Sequence, residues 1–497
     1  MKTNLRQRLR KAAQLAALGF AAIFLAGCGP DEFVLWSPDG QHAYVNGEQA
    51  LLVDGAGRML GPVFGREERV AGWLPDSLRI IVVRTADPRS WDEYAQLLGP
   101  ERAAFVTLLA QQLSGLITNF HDDWTTFGAA PAVKAWKEYL EFRGEDIDSV
   151  VYYLDQKQSG LLAPLVEATA RIVDEKREDT TGLFFSKGPH LPHINELHLR
   201  DALPSDAPAD QLLLRLPDAI SWACSSPLGR SIAFVSQVSG EKQLFVVAIA
   251  PNGTPIPVDP GVEFAAWSSD GRNLAYARTA TPKRSQAGNL ALGTITSVTV
   301  CTPSGDVLPK PEGNVDHAGL KLPERPRVAW LPDGRILFAS ARLTLPATID
   351  ETPQRLTLFA VLPTSPTAID SLVPDQVQAQ LPGRVDCFVL SPDGKKVAIP
   401  DDSGAVSVLF LETGTIMALQ AEIPNLGRNS TYSAMSPAWR TSDELSYVVP
   451  AGDSAASPAR GEVVIATLHG GKHTISKAWP DGRFLPPNLA DRVDDKL

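Results

Sequence analysis

Trp36-Ser37-Pro38-Asp39-Gly40 ends one short apolar run and opens another. The same turn returns as Trp267-Ser268-Ser269-Asp270-Gly271, Trp330-Leu331-Pro332-Asp333-Gly334 and Leu390-Ser391-Pro392-Asp393-Gly394. Weaker copies begin at Trp73 (Leu74-Pro75-Asp76-Ser77), at Trp222 (Ser226-Pro227-Leu228-Gly229) and at Trp439 (Thr441-Ser442-Asp443). Pro presets φ for a tight turn, Asp bonds back to the backbone, and Gly takes the positive-φ exit that returns the chain as a hairpin. Repetition at this interval means one supersecondary unit copied around an array.

Each turn leads into strand-length, β-rich runs rather than helical periodicity. Gly229 is followed by Ile232-Ala233-Phe234-Val235, then Leu244-Phe245-Val246-Val247-Ala248-Ile249. Gly394 is followed by Val397-Ala398-Ile399, then Val406-Ser407-Val408-Leu409-Phe410-Leu411. Four strands per unit of roughly 40 to 60 residues is the β-propeller pattern. The sequence therefore predicts an all-β propeller of about seven four-stranded blades. Trp479-Pro480-Asp481-Gly482 reads as a decayed extra turn after the last blade.

These turns, each followed by a small-apolar strand such as Val397-Ala398-Ile399, resemble the WD-repeat-like blades of TolB-type propellers. Propeller domains of prolyl-oligopeptidase-type enzymes use similar blades. The resemblance runs in pieces over most of the chain except about 88–176. It implies a TolB-like scaffold for protein–protein interaction, a role that the fold alone does not specify.

The N-terminus carries a second signal. Lys2, Arg6, Arg8, Arg10 and Lys11 precede an apolar core from Leu15 to Leu25, closed by Leu25-Ala26-Gly27-Cys28. A basic start, a short apolar core and small residues before the cut read as a secretory signal peptide over 1–27. The tetrapeptide resembles the lipobox of bacterial lipoproteins, which implies that Cys28 is the lipid attachment site and the mature N-terminus. More than one acyl chain, palmitate among them, would hold a soluble domain on a membrane. Gly29-Pro30-Asp31 leaves a short tether, so the propeller is expected close to the bilayer. By resemblance to the enterobacterial sorting rule, Gly29 favours the outer membrane, on its periplasmic side.

Removing the five cations of the signal takes the formal charge from −11 to −16. An acidic domain lacks the basic footprint of a nucleic-acid binder. Beyond Cys28 remain Cys224, Cys301 and Cys387. They allow one disulfide and a free thiol, or three buried thiols, and buried thiols are the expectation.

The repeat is broken between Arg84 and about Thr181, where Phe105, Leu109, Leu113, Leu116 and Phe120 fall on one helical face, as do Val133, Trp136 and Leu140. Gly99-Pro100-Glu101 and Ala130-Pro131 read as helix starts. Ile80-Ile81-Val82-Val83 before this segment and Glu196-Leu197-His198-Leu199 and Leu212-Leu213-Leu214 after it look like strands of one sheet. The expected organisation is a first blade and the start of a second over 28–87, an α-helical insertion in the second blade over 88–176, and the rest of the propeller over 177–497. As a cap the insertion would only pack; as a docking site it would hold partner specificity.

One cluster invites a chemical reading: His190, His193 and His198, with Glu196 between them. Zinc would need imidazoles converging at about 2 Å. His190 and His193 sit in a Pro-containing loop, while His198 lies in a strand and shares its face with Glu196, so chance clustering is the expectation. His121-Asp122-Asp123 reads as a solvated cluster. Asp39, Asp270, Asp333 and Asp393 read as turn caps rather than acid catalysts. No nucleophile elbow, phosphate loop or His-Glu-x-x-His motif occurs. The sequence therefore predicts no catalytic, cofactor-binding or metal residues. It predicts a non-enzymatic, membrane-anchored scaffold with envelope proteins as partners and no nucleic acid. Two alternatives stay open: a lyase- or cyclase-type propeller enzyme, and a small-molecule or glycan-binding protein, each with its site at the central channel.

Overall fold

The computed structural model describes residues 34–45, 51–58, 60, 67–100, 102–103, 193–203, 209–238, 241–250, 253–280, 295–304, 314–317, 320–321, 327–342, 357–363, 369–373, 388–400, 405–420, 437–451, 460–478 and 484–485. Cys28, Cys387, His190, the His121-Asp122-Asp123 cluster, Ala130-Pro131, most of the helical insertion and Trp479-Pro480-Asp481-Gly482 lie outside them.

Seven antiparallel sheets follow one another in chain order. Blade 1 is Val34–Trp36 (β1), His42–Val45 (β2) and Leu51–Asp54 (β3). Blade 2 is Glu68–Trp73 (β4), Arg79–Ala86 (β5), Ile194–Asp201 (β6) and Asp210–Leu216 (β7). Blade 3 is Ile220–Ser225 (β8), Ser231–Val238 (β9), Glu241–Ala248 (β10) and Ile256–Pro260 (β11). Blade 4 is Ala265–Trp267 (β12), Leu274–Ala280 (β13), Ile295–Cys301 (β14) and Asn314–His317 (β15). Blade 5 is Leu320–Lys321 (β16), Val328–Trp330 (β17), Ile336–Arg342 (β18), Thr357–Val361 (β19) and Ile369–Ser371 (β20). Blade 6 is Val389–Leu390 (β21), Lys396–Pro400 (β22), Val406–Phe410 (β23) and Thr415–Gln420 (β24). Blade 7 is Ala438–Thr441 (β25), Glu444–Ala451 (β26), Arg460–Thr467 (β27), Lys472–Ala478 (β28) and Phe484–Leu485 (β29).

The expectation of four strands per blade holds for blades 2, 3, 4 and 6. Among the described residues blade 1 shows three strands and blades 5 and 7 show five. In blade 5, β16 and β17 pair with different stretches of β18; in blade 7, β29 adds an outer strand beside β28.

The second strands are apolar on both faces because each blade is stacked between two others. Ile80–Val83, Ile232–Val235 and Val397–Ile399 are wholly buried, as strands covered on both sides must be. Their neighbours come from adjacent blades. Val397, Ile399 and Leu409 of blade 6 pack with Leu337, Ala339 and Leu358 of blade 5. Val34, Ala43 and Val53 of blade 1 share a cluster with Leu445, Tyr447 and Ile465 of blade 7, which closes the ring.

Tryptophans at the ends of the inner strands stitch the blades together. Trp73 Nε1 donates to Leu35 O at 2.8 Å, Trp330 Nε1 to Ala266 O at 2.9 Å, and Trp439 Nε1 to Val389 O at 2.9 Å. In each case the acceptor is the residue just before the corresponding position of the preceding blade. Closure needs a relay: Trp36 Nε1 donates to Ser446 Oγ at 2.9 Å, and Ser446 Oγ donates to Ala438 O at 3.0 Å. Arg440 adds a clamp, with its guanidinium 5.3 Å from the Trp36 ring centroid and Nε donating to Gly40 O at 2.8 Å. Gly40 is required twice over here, because φ is +67° and a Cβ would stand 2.7 Å from Arg440 O.

Blade 3 departs from the sequence expectation. The residue equivalent to the turn tryptophan is Ser225, not Trp222, since Ser225 pairs with Ile232 as Trp36 pairs with Ala43. Ser225 Oγ keeps an inter-blade bond by donating to Trp73 O at 2.9 Å. Trp267 of blade 4, by contrast, has its buried Nε1 without a hydrogen-bond partner among the described residues.

This difference separates hydrogen bonding from ring packing. Trp73→Phe removes a donor and strands a carbonyl, and is expected to cost about 1–3 kcal/mol beyond the shared loss of ring area. Trp267→Phe removes an unpaired donor and should cost clearly less. Urea denaturation of both variants checks this; equal losses would mean that the indole bonds contribute nothing.

Candidate functional site

The repeated turns gather at one end of the ring, and their carboxylates are spent on the backbone. Ser37 Oγ donates to Asp39 Oδ1 at 2.5 Å, and Asp39 Oδ1 accepts from Gln41 N at 3.1 Å. Ser268, Asp270 and Arg272 repeat the pattern, as do Ser391, Asp393 and Lys395. Asp333 accepts from Arg335 N at 3.0 Å and Arg335 Nε at 2.8 Å. The structure thus places all four aspartates as turn caps. Turn residues also meet across blades: Asp39 N donates to Ser77 Oγ at 3.2 Å, and a Cβ on Gly394 would lie 2.5 Å from the Pro332 ring. Ser77 stands where the turns of blades 1, 3, 4, 5 and 6 carry Gly, at φ +57°.

The His193, Glu196 and His198 positions come apart in the structure. Exposed His193 pairs with Asp87, Nδ1 to Oδ1 2.7 Å. His198 and Glu196 are buried side by side on β6, as their spacing predicts. The two ring nitrogens of His198 face carboxylates, Nδ1 lying 2.8 Å from Asp210 Oδ1 and Nε2 3.1 Å from Glu196 Oε2. Glu196 Oε1 accepts from Arg215 Nε at 2.8 Å, and Arg200 bridges Glu68 and Asp210 at 2.9 and 3.0 Å. Among the described residues no group of three or more His, Cys, Asp or Glu is placed to hold a metal ion. The network instead ties β4, β6 and β7 together.

It also anchors the start of the insertion. Trp91–Leu98 (α1) begins at Ser90, whose side chain accepts from Glu93 N, and ends at Gly99 with φ 78°. Arg215 Nη1 donates to Glu93 Oε1 at 2.6 Å, and Tyr94 and Leu98 are buried. Beyond Gly99 the chain turns helical again, as Gly99-Pro100-Glu101 predicts, and Ala103 N donates to Gly99 O at 2.9 Å. Arg102 then grips the buried Asp218 with both guanidinium nitrogens, at 2.9 and 2.7 Å. Separating such a pair typically costs 3–5 kcal/mol, so residues up to Ala103 belong to the packing of blades 2 and 3.

Cys301 is a buried free thiol, and Cys224 is half-buried. Burial, then the nearby Asp259 carboxylate, pushes the Cys301 thiol up to about 12, which makes it inert. No helix among the described residues is long and apolar enough to cross a membrane.

Strand polarity sorts the exposed apolar groups. Inner strands run toward the turn end and second strands run back, so Leu78 and Leu228 sit in the turns themselves. Leu203 follows β6, whose Asp201 pairs with Arg79; Ile256 opens β11 opposite Val246; Leu362 follows Val361, which pairs with Ile336. All five exposed large hydrophobic side chains of the described residues therefore lie at the turn end. Leu78 and Leu228 are 63% and 57% exposed. Ala202 N donates to Leu78 O at 2.8 Å, which brings Leu203 beside Leu78. Two of these positions carry a signal in the sequence. Leu228 stands where other turns carry Asp, and Leu78 where they carry Gln41, Arg272 or Lys395.

No protein-family model matches the chain, and no curated protein matches it. Among solved structures it is similar to TolB from Acinetobacter baumannii, at 15% identity over 58% of each chain with a TM-score of 0.35. A putative TolB from Agrobacterium tumefaciens is 16% identical over 56% of this chain and 94% of that one, with a TM-score of 0.33. Hydrazine synthase from Kuenenia stuttgartiensis is 13% identical over 77% of each chain, with a TM-score of 0.41. The chain thus spans little more than half of the Acinetobacter structure. The propeller fold itself rests on the seven sheets and their ring closure.

The turn carboxylates make stability pH-dependent. Burial raises the pKa of Asp393, but bonds from the Ser391 hydroxyl, Lys395 N–H and Lys396 ammonium outweigh it and hold the carboxyl below its usual range. Asp39 behaves likewise, its burial outweighed by Ser37 and Gln41. A carboxylate depressed in the folded state adds stability that is present above its unfolded pKa of about 4 and lost as pH falls through the folded value. Denaturant midpoints should therefore drop below about pH 4, and Asp393→Asn should flatten that decline while lowering the midpoint at pH 7. An unchanged acid limb in the variant would contradict the assignment.

Proposed function

We propose that the chain is a lipid-anchored protein of the cell envelope, extracytoplasmic, whose propeller is a non-enzymatic scaffold for other envelope proteins. The carrying observation is the gathering of Leu78, Leu203, Leu228, Ile256 and Leu362 at one end of a rigid ring. Exposed apolar side chains grouped on one face mark a surface that a protein partner covers. The polar side chains that could have served chemistry support the same reading, because the turn aspartates, Glu196 and His198 hold turns and strands in place. Cys28, directly after the signal peptide over 1–27, supplies the anchor, and partners share its compartment.

Photo-cross-linking in native envelopes tests the scaffold. A cross-linker at Gln41, in the turn of blade 1, should yield a discrete protein adduct in the otherwise unaltered chain. The adduct should be lost in the Leu78→Ser, Leu228→Ser double variant while its melting temperature stays unchanged, since exposed substitutions cost little stability. An adduct of equal yield in the double variant would refute a partner at the turn end. Cys28→Ser should move the protein to the soluble fraction; retention on membranes after a high-salt wash would refute the anchor.

A further inference from the structure

We infer that the turns of blades 2 and 3 are the part of the turn end that receives the partner, and that the partner presents a protein segment with apolar side chains and a carboxylate beside them. Such an occupant presupposes the scaffold proposed above.

One exchanged residue sets this place apart. Asp39, Asp76, Asp270, Asp333 and Asp393 each cap their turn by accepting from the backbone N–H two residues on. Blade 3 carries Leu228 in that position, 57% exposed, and Arg230 N turns to Ser226 Oγ at 3.1 Å instead. A leucine there gives up a cap and leaves apolar surface in water, so the exchange does nothing for the fold. It also removes a carboxylate from beside the cation that follows. Arg272 Nε lies 3.8 Å from Asp270 Oδ2 and Arg335 Nε 2.8 Å from Asp333 Oδ2, while Lys395 Nζ reaches Glu412 Oε1 at 2.9 Å. Exposed Arg230 has no carboxylate partner among the described residues.

The cation stands beside apolar groups that run across neighbouring turns. Gly229 sits on Pro75 of blade 2, where a Cβ would lie 3.6 Å from the proline ring, and Leu228 reaches over Gly271 of blade 4, its Cγ 3.3 Å from where a Cβ would stand. Leu78 follows the blade-2 turn, 63% exposed, with Leu203 beside it. The bordering carboxylates are committed to their own turns: Asp76 accepts from Arg79 Nε at 2.9 Å, and Asp270 from Ser268 Oγ at 2.6 Å. One positive charge is therefore left over at the edge of an apolar surface. A carboxylate on the partner would answer it, steering the encounter and fixing the register of the apolar contacts. An anionic lipid surface carries the matching charge too, but it would repel a chain whose net charge is −11.

Charge reversal in native envelopes tests this on the full-length protein, with the photo-cross-linker at Gln41, whose turn touches that of blade 2 through Asp39 and Ser77. Arg230→Glu should lower the yield of the protein adduct about fivefold or more, because repulsion replaces attraction at the rim. Arg230→Lys should keep the adduct. So should Lys395→Glu on blade 6, which makes the same change in net charge away from the patch. Leu228→Asp should abolish the adduct while the melting temperature stays level or rises, since the cap is restored. Once mass spectrometry has identified the partner's cross-linked segment, changing its carboxylate to Lys should restore the adduct with Arg230→Glu. An undiminished adduct in Arg230→Glu, an equal loss in Lys395→Glu, or a lowered melting temperature in Leu228→Asp would overturn the inference and leave the scaffold standing. An adduct with lipid or with a second copy of the chain would name a different occupant and overturn it as well. No adduct in the otherwise unaltered chain would overturn the scaffold, and this inference with it.

Discussion

An indole N–H passed to the inner strand of the preceding blade, directly in blades 2, 5 and 7 and through Ser446 in blade 1, is the constraint that sets how the blades meet. A buried N–H left without an acceptor costs more than a made bond returns. The acceptors these indoles use are carbonyls of the neighbouring inner strand, so pairing fixes the distance and register between those blades. Trp73, Trp330 and Trp439 make the contact directly, and Ser225 replaces it with a hydroxyl. At the seam the first and last blades meet without a covalent link, and Trp36 reaches the equivalent carbonyl through Ser446 while Arg440 covers the ring. Apolar stacking supplies most of the free energy. The polar contacts decide which stacking geometry is the stable one.

A ring of parallel inner strands has two chemically different ends. At one, Ser and Asp side chains close each turn, and blades touch through Pro, Gly and Ser. At the other, a long segment leaves blade 2 without disturbing its sheet, because β5 and β6 pair over their whole length. The first helix of that segment is not loose cargo. Glu93 joins it through Arg215 to the charged network that buries Glu196 and His198, Tyr94 and Leu98 are buried, and just beyond it Arg102 grips Asp218. A cluster resembling a metal site in sequence is thus a bracket between sheet and helix.

Much of this fold was legible because the turn code is local. Ser, Pro, Asp and Gly act within five residues, and every full copy became a hairpin with Gly at positive φ. What stayed hidden depended on partners distant in sequence. Trp222 looked like the blade-3 copy because it is a tryptophan near the right place; strand register assigns the position to Ser225 three residues on. The helix α1 carried its signals in Ser90, Glu93 and Gly99, but eight residues give too short an apolar period to stand out. Arg102 and Asp218 lie 116 residues apart, and no local pattern joins them. His198 beside Glu196 was readable from the period of two along a strand, whereas the Asp210 on its other side was not.

The seam gives the most direct test. Hydrogen exchange of the indole N–H groups, resolved by nitrogen-15 labelling of tryptophan, compares Trp36 with Trp73, Trp330 and Trp439 in one sample. A closed ring predicts that Trp36 is protected as strongly as the other three, since its donor is buried against Ser446. Rapid exchange at Trp36 with slow exchange at the others would show that the first and last blades do not meet, and would contradict the propeller as described.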